Sequence, residues 1–224
     1  MTIQRRKLSP LDKIALGTMS KVFTPEVEEI VFASKNKHKL NEVRKILSPH
    51  GITVYGLNDL NLEVEEAIEN GSTYLDNALI KAQAVAKATS MPVIADDSGL
   101  EIAALNNAPG IYTSRYADQL GGYNKAMNHL NDLLKDKDKS ARFVCTIVLL
   151  NVDQDYKKFI GVAEGEIVPI QENINGFGYD PCFYSHELNK VFSLASEEEK
   201  NAYSHRGKAL KKLITFLKIN KLVK

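Results

Sequence analysis

The residues able to do chemistry in this sequence fall in four short stretches. Asp96 and Asp97 stand side by side after the apolar run Val93-Ile94-Ala95 and before Ser98-Gly99. A continuous apolar run bounded by Pro92 and Gly99 fits a strand covered on both faces. Side chains alternate along a strand, so the two carboxylates point to opposite faces and only one aims into a given cleft. A carboxylate there holds a magnesium ion or acts as a general base; the alternative is a plain polar turn. Ser34-Lys35-Asn36-Lys37-His38-Lys39 joins a strand to a helix. The unpaired N–H groups and dipole of a helix start favour an anion, and the lysines add charge; the alternative is a solvated turn. The glycines of a Walker or Rossmann loop are absent. In Asn175-Gly176-Phe177-Gly178-Tyr179-Asp180-Pro181 two glycines expose the face of an aromatic. Such a loop can stack a nucleobase, or it is an ordinary connection. Ser204-His205-Arg206-Gly207 puts two basic residues at a helix start, where the dipole gives them no stabilising role.

The elements that hold these stretches follow from periodicity. Ile30 to Ala33 form a first strand, and Leu40, Val43, Ile46 and Leu47 recur at helical spacing before the stop signals Pro49 and Gly51. Ile52 to Gly56 form a second strand edging the first. An acidic loop from Leu62 to Gly71 carries Glu63, Glu65, Glu66 and Glu69. Thr73 and Asp76 approximate a capping box for a helix with Leu75, Leu79, Ala82, Val85 and Ala86 buried. The Ser98-Gly99 pair turns the chain, and Leu100 to Leu105 form a return strand. Ala108 to Tyr112 is a turn, and Thr113 to Tyr116 lie on a cleft rim. Leu130, Leu133 and Leu134 mark another helix. Arg142 to Val152 and Lys158 to Val168 form a hairpin around Asp153-Gln154-Asp155, so the sheet is mixed. Ser196 caps a short acidic helix, and a terminal helix buries Leu210, Leu213, Ile214 and Leu217.

Composition narrows the class. Of the residues 44% are hydrophobic and 25% charged, ordinary for a globular protein, and the length suits one large α/β domain. A net charge of +1 excludes a general nucleic-acid binder. Two unclustered cysteines, Cys145 and Cys182, imply neither a disulfide framework nor a zinc site and fit a reducing cytoplasm. No apolar run reaches membrane-spanning length. Residues 1–28 read as a loosely structured extension before a domain over 29–224.

Taken together, residues 30–220 closely resemble the inosine triphosphate pyrophosphatase family, which acts on non-canonical purine nucleoside triphosphates. The stretch Ser34 to Lys39 looks like its triphosphate loop, and Asn77-Ala78-Leu79-Ile80-Lys81-Ala82 its Glu-Asn-Ala helix, with Asp76 in place of the Glu. Ala95 to Gly99, Ala108 to Tyr116, Gly176 to Pro181 and Ser204 to Gly207 match four further segments in order. The resemblance implies an elongated mixed sheet with flanking helices, two lobes around a cleft, and usually a homodimer. It implies hydrolysis of ITP, dITP and XTP to the monophosphate and pyrophosphate with Mg2+. Asp97 resembles the proton acceptor and metal ligand. Ser98, with Ser34, Lys35, Asn36, Lys37, His38 and Lys39, resembles the phosphate-binding positions. Phe177, Gly178, Tyr179, Asp180, Lys200, His205 and Arg206 resemble the nucleotide and base contacts. Many members place a metal-binding Glu three residues before the Gly matching Gly71; Ile68 occupies that position, and Glu69 is the substitute. A small residue of the family's phosphate loop is Lys35 here. The alternatives are a Maf-like nucleotide pyrophosphatase of other specificity and a non-catalytic nucleotide-binding module.

Overall fold

The computed structural model describes residues 26–62, 64, 67–171 and 176–223. Most of the predicted extension, together with Glu63, Glu65, Glu66 and Asn175, lies outside the described residues. Seven strands form one mixed sheet in the order β2-β1-β3-β4-β5-β6-β7. They are β1 (Glu29–Phe32), β2 (Thr53–Gly56), β3 (Val93–Ile102), β4 (Ser140–Leu150), β5 (Lys157–Ile167), β6 (Phe183–Ser185) and β7 (Lys190–Val191). β1 runs parallel to β2 and β3, and every later pairing is antiparallel. The helices are α1 (Lys37–Leu47), α2 (Tyr74–Ala86), α3 (Thr113–Gln119), α4 (Tyr123–Leu133), α5 (Glu197–Tyr203) and α6 (His205–Ile219).

Period-two alternation sorts the core. Ile30, Phe32 and Ile94 face α1 and α6, packing with Val43, Leu47, Leu210 and Leu213. Val31, Ala33, Val93 and Ala95 face α2, packing with Ala78, Ala82 and Val85. A third cluster, with Leu100, Met127, Leu130 and Phe183, fills the other end of the sheet. The sandwiched strands are therefore apolar on both faces. On α4 the buried residues include Leu130, followed by Leu134 at its end, whereas Leu133 is exposed. Val27 is already part of the first cluster, and its N–H bonds the Leu222 carbonyl.

The strand carrying Asp96 and Asp97 differs from the expectation. No turn forms at Ser98-Gly99 and no return strand over Leu100–Leu105: β3 continues through Ile102, and Ala103–Leu105 is a 3₁₀ turn. The physical reason is β4, which pairs with β3 residue by residue from Val93↔Leu150 to Ile102↔Ala141 and satisfies its backbone. Gly99 serves close approach instead. A Cβ there would lie 2.1 Å from the Gly110 carbonyl oxygen.

That long strand creates the cleft. The short β1 pairs only with Val93 and Ile94 of β3, and the chain leaves the sheet at Ala33. Beyond that point Asp96 to Gly99 have no strand neighbour on the β1 side among the described residues. Strand order also reverses there, the position at which open α/β sheets bind ligands.

Candidate active site

The cleft is a cavity of about 690 Å³. From β1 and α1 it receives Ser34, Lys35, Asn36 and Lys39, and from β3 it receives Asp97 and Ser98. Glu69 and Lys81 line it from the α2 side. Phe177, Gly178, Tyr179 and Asp180, with Lys200, His205 and Arg206, close the other side. Two predicted positions are not in this wall. Lys37 is exposed outside it, and His38 lines only a smaller cavity of about 150 Å³ beside it.

Asp96 and Asp97 divide as alternation requires. Asp96 lies on the Ile94 face, is 1% exposed and does not line the cleft. Its carboxylate meets Lys39 Nζ at 3.1 Å and Arg206 Nη2 at 2.8 Å. Burial alone would raise its proton affinity, but the combined pull of Lys39, Arg206 and Lys81 overrides this and holds the carboxyl far below the usual range. Asp97 lies on the α2 face. Its Oδ2 accepts from Asn77 Nδ2 at 3.2 Å, and its Oδ1 is 3.3 Å from Lys81 Nζ. Here burial wins over the Lys81 and Lys39 charges and raises the carboxyl above its ordinary value. One carboxylate is locked into buried ion pairs, and the other lines the cleft with a raised proton affinity.

Asn77 and Lys81 sit one turn apart on α2, so both side chains reach Asp97. Asn77, fully buried, also accepts the Gly71 N–H at 2.9 Å and so ties down the loop carrying Glu69. The second carboxylate on Lys81 Nζ is Glu69, also at 3.3 Å. The Glu69 backbone is held from the opposite wall by Arg115, whose Nη2 donates to the Glu69 carbonyl at 3.1 Å. Ile68 is 79% exposed.

The geometry of the Ser34–Lys39 loop follows from capping. Asn36 is the N-cap of α1, its side chain accepting the Lys39 N–H, while Ser34 Oγ accepts the Asn36 N–H at 3.2 Å. The helix start therefore opens toward the cleft with Lys39 beside it.

On the far side a chain of alternating charges holds the loop. Glu42 takes Arg206 at 2.6 Å and Lys200 at 2.9 Å, and Lys200 takes Asp180 at 2.6 Å. Asp180 in turn accepts the Phe177 N–H at 2.7 Å. The Tyr179 hydroxyl, deep in the core, donates to the Thr113 carbonyl at 3.2 Å. Asp180, Lys200 and Arg206 are thus largely occupied with protein partners. His205 stacks on Phe143 at 4.7 Å, with its Nδ1 buried and without a hydrogen-bond partner among the described residues. It reaches this place because Gly161 lets α6 lie directly on β5, where a Cβ would meet the His205 carbonyl oxygen at 1.9 Å.

The sequence alone assigns no role to Glu42, Asn77, Lys81 or Arg115. The signal for Asn77 and Lys81 is a polar pair at i, i+4 beside the buried stripe of α2. Glu42 shows the same spacing from His38 on α1.

Fold and site together define an α/β protein whose central cleft sets converging carboxylates beside a basic helix start and an aromatic loop. Residues 30–216 match the Ham1 family. The chain is 42% identical over 204 residues to a dITP/XTP pyrophosphatase of Staphylococcus aureus, covering 88% of this chain and all of that protein. It is 42% identical over 188 residues to the dITP/XTP pyrophosphatase of Thermus thermophilus, covering 83% and 90%. The solved Ham1 protein of Coxiella burnetii superposes with a TM-score of 0.74 at 42% identity, over 85% of this chain and 98% of that one. The chain belongs to the Ham1 family, which sets aside the Maf-like alternative.

Proposed function

We propose that this protein is a hydrolase that converts the non-canonical purine nucleoside triphosphates ITP, dITP and XTP to the monophosphate and pyrophosphate. The observation that carries this reading is the pairing of Asp97 with a basic helix start in one cleft, in a chain related to dITP/XTP pyrophosphatases.

The donors present fit Mg2+. Glu69 and Asp97, the two carboxylates that would hold the ion, both face the Lys81 ammonium at 3.3 Å and so line the same part of the cleft. Magnesium is commonly held by one or two carboxylates plus substrate phosphates. When bound, the ion neutralises phosphate charge and orients the reacting oxygens. Ser34, Asn36, Lys39 and the open N–H groups of α1 bind the triphosphate. Asp97, its proton affinity raised by burial, takes a proton from a water as that water's oxygen bonds the α-phosphorus. The bond from the α-phosphorus to the bridging oxygen breaks, and pyrophosphate leaves. Positioning and fixed charge supply most of the rate.

Phe177 stacks any purine, so discrimination rests on polar groups at the base edge. Asp180, Lys200 and Arg206 are fixed by their own ion pairs, which leaves His205 Nδ1 as the buried atom seeking a partner. A site organised around a 6-oxo group leaves a buried donor facing the adenine amino group and can reject it by roughly 10⁴-fold. A homodimer in the cytoplasm completes the proposal. Two free, buried cysteines support a reducing compartment, and no helix among the described residues is long and apolar enough to cross a membrane.

The deciding experiment measures products from dITP, ITP, XTP, GTP and ATP with Mg2+. Pyrophosphate as the first product, with the first three preferred, is expected. Orthophosphate first, equal use of ATP, or no turnover would overturn the reading.

A further inference from the structure

His38 lies on the first turn of α1, in the stretch matched to the phosphate loop, yet it is absent from the wall of the main cleft. Its ring instead stacks on Phe177, with centroids 5.2 Å apart and planes within 16°. Phe177 lines both cavities, whereas His38 lines only the smaller one. His38 therefore packs on Phe177 without lining the cleft. The separation also leaves no room for a base between the two rings, which would need about 7 Å for two van der Waals gaps.

The loop that bears Phe177 needs such support. Gly176 and Gly178 flank it with φ of +95° and +67°, values that only glycine adopts freely. Two glycines beside a ring leave it free to swing unless neighbours hold it. One turn after His38 on the same face of α1, Glu42 reaches the same loop through Lys200 and Asp180. Lys200 Nζ also sits 4.5 Å from the Phe177 ring centre.

We infer that His38 is a positioning residue for the purine platform: its imidazole backs Phe177 and fixes the ring for stacking, while taking no part in phosphate binding. This rests on the reading of Phe177 as the base platform. The helix that grips the triphosphate then also aligns the surface that receives the base.

The test compares wild type with His38→Ala and His38→Phe. An aromatic pair of this kind is worth about three- to tenfold in an equilibrium constant. His38→Ala should raise KM for dITP by about that factor and leave kcat within about twofold. Inhibition by inorganic tripolyphosphate, which carries no base, should be unchanged, and His38→Phe should restore KM. Calorimetric binding of dITP in EDTA should show the same loss for His38→Ala, so the inference is judged even if wild type proves inactive. Equal weakening of tripolyphosphate would make His38 a phosphate contact and overturn the inference. So would unchanged dITP affinity, tighter dITP binding, or failure of His38→Phe to restore it.

Discussion

Asp96 and Asp97 are neighbours in the chain with opposite electrostatic fates: Asp96 is clamped by Arg206 at 2.8 Å, and Asp97 is held by neutral Asn77 at 3.2 Å. Asp97→Asn should therefore cut turnover at least ~100-fold, as expected for one acid–base group, while thermal unfolding stays near wild type. Asp96→Asn is no silent control. It leaves the buried Arg206 and the half-buried Lys39 beside a neutral group, and about 3 kcal/mol of stability should be lost. Denaturant titration of both variants checks this, and a destabilised Asp97→Asn beside an unaffected Asp96→Asn would reverse the assignment.

Glu69, not the residue at position 68, shares Lys81 with Asp97. Glu69→Gln should raise the Mg2+ concentration for half-maximal activity by about tenfold, the usual scale for loss of a contact at a metal site. Ile68→Glu, at an exposed position, should move it by less than about threefold. Magnesium titrations at saturating dITP decide between them.

His205 gives stability a defined pH dependence. Burial, reinforced by the Arg206 and Lys200 charges, pushes its pKa well below the ordinary 6.5. Below pH 6.5 the unfolded chain binds this proton and the folded protein does not. Its contribution is thus complete above about pH 6.5 and is lost as pH falls, by up to about 1.4 kcal/mol per unit. His205→Gln should flatten urea-measured stability between pH 6.5 and 5. An unchanged slope would show that His205 is not buried neutral.

The family match begins at residue 30, well after residues 1–25. Removing them should leave kcat/KM for dITP within about twofold. Removing residues 1–28 also takes Val27 from the core, and about 2 kcal/mol should go with it. Comparing the melting temperatures of the two truncations locates the true edge of the domain.

The chain contains no tryptophan. Phe177→Trp therefore introduces a single fluorophore on the proposed base platform. Adding dITP in EDTA should quench its emission, and inorganic tripolyphosphate should not. Equal responses to the two would place the base elsewhere.

Much of the site was legible before the fold. The alternation rule separated Asp96 from Asp97 correctly, because a strand's side-chain period is set by its own backbone. The caps at Thr73 and Ser196 are likewise local, as each satisfies N–H groups within three residues. Local chemistry failed at Ser98-Gly99. Turn residues met a partner strand 49 residues away in sequence, where Asp97 pairs with Thr146, and sheet hydrogen bonding overrode their preference.

What the sequence determined by itself is the inventory: a strand bearing two adjacent carboxylates, a basic helix start, a glycine-flanked aromatic and a basic terminal helix. What only the tertiary structure decided is which of these groups remain available. Lys200 and Arg206 look alike as free cations in the sequence, yet each is engaged by a carboxylate from a distant element. His38, read with the phosphate loop, turns to an aromatic ring instead. Charge and ring pairings of this kind depend on distances of a few ångströms between residues up to 164 positions apart, as for Arg206 and Glu42. No spacing along the chain encodes such distances, because they are set only when the two faces of the sheet are covered and the helices are brought over them.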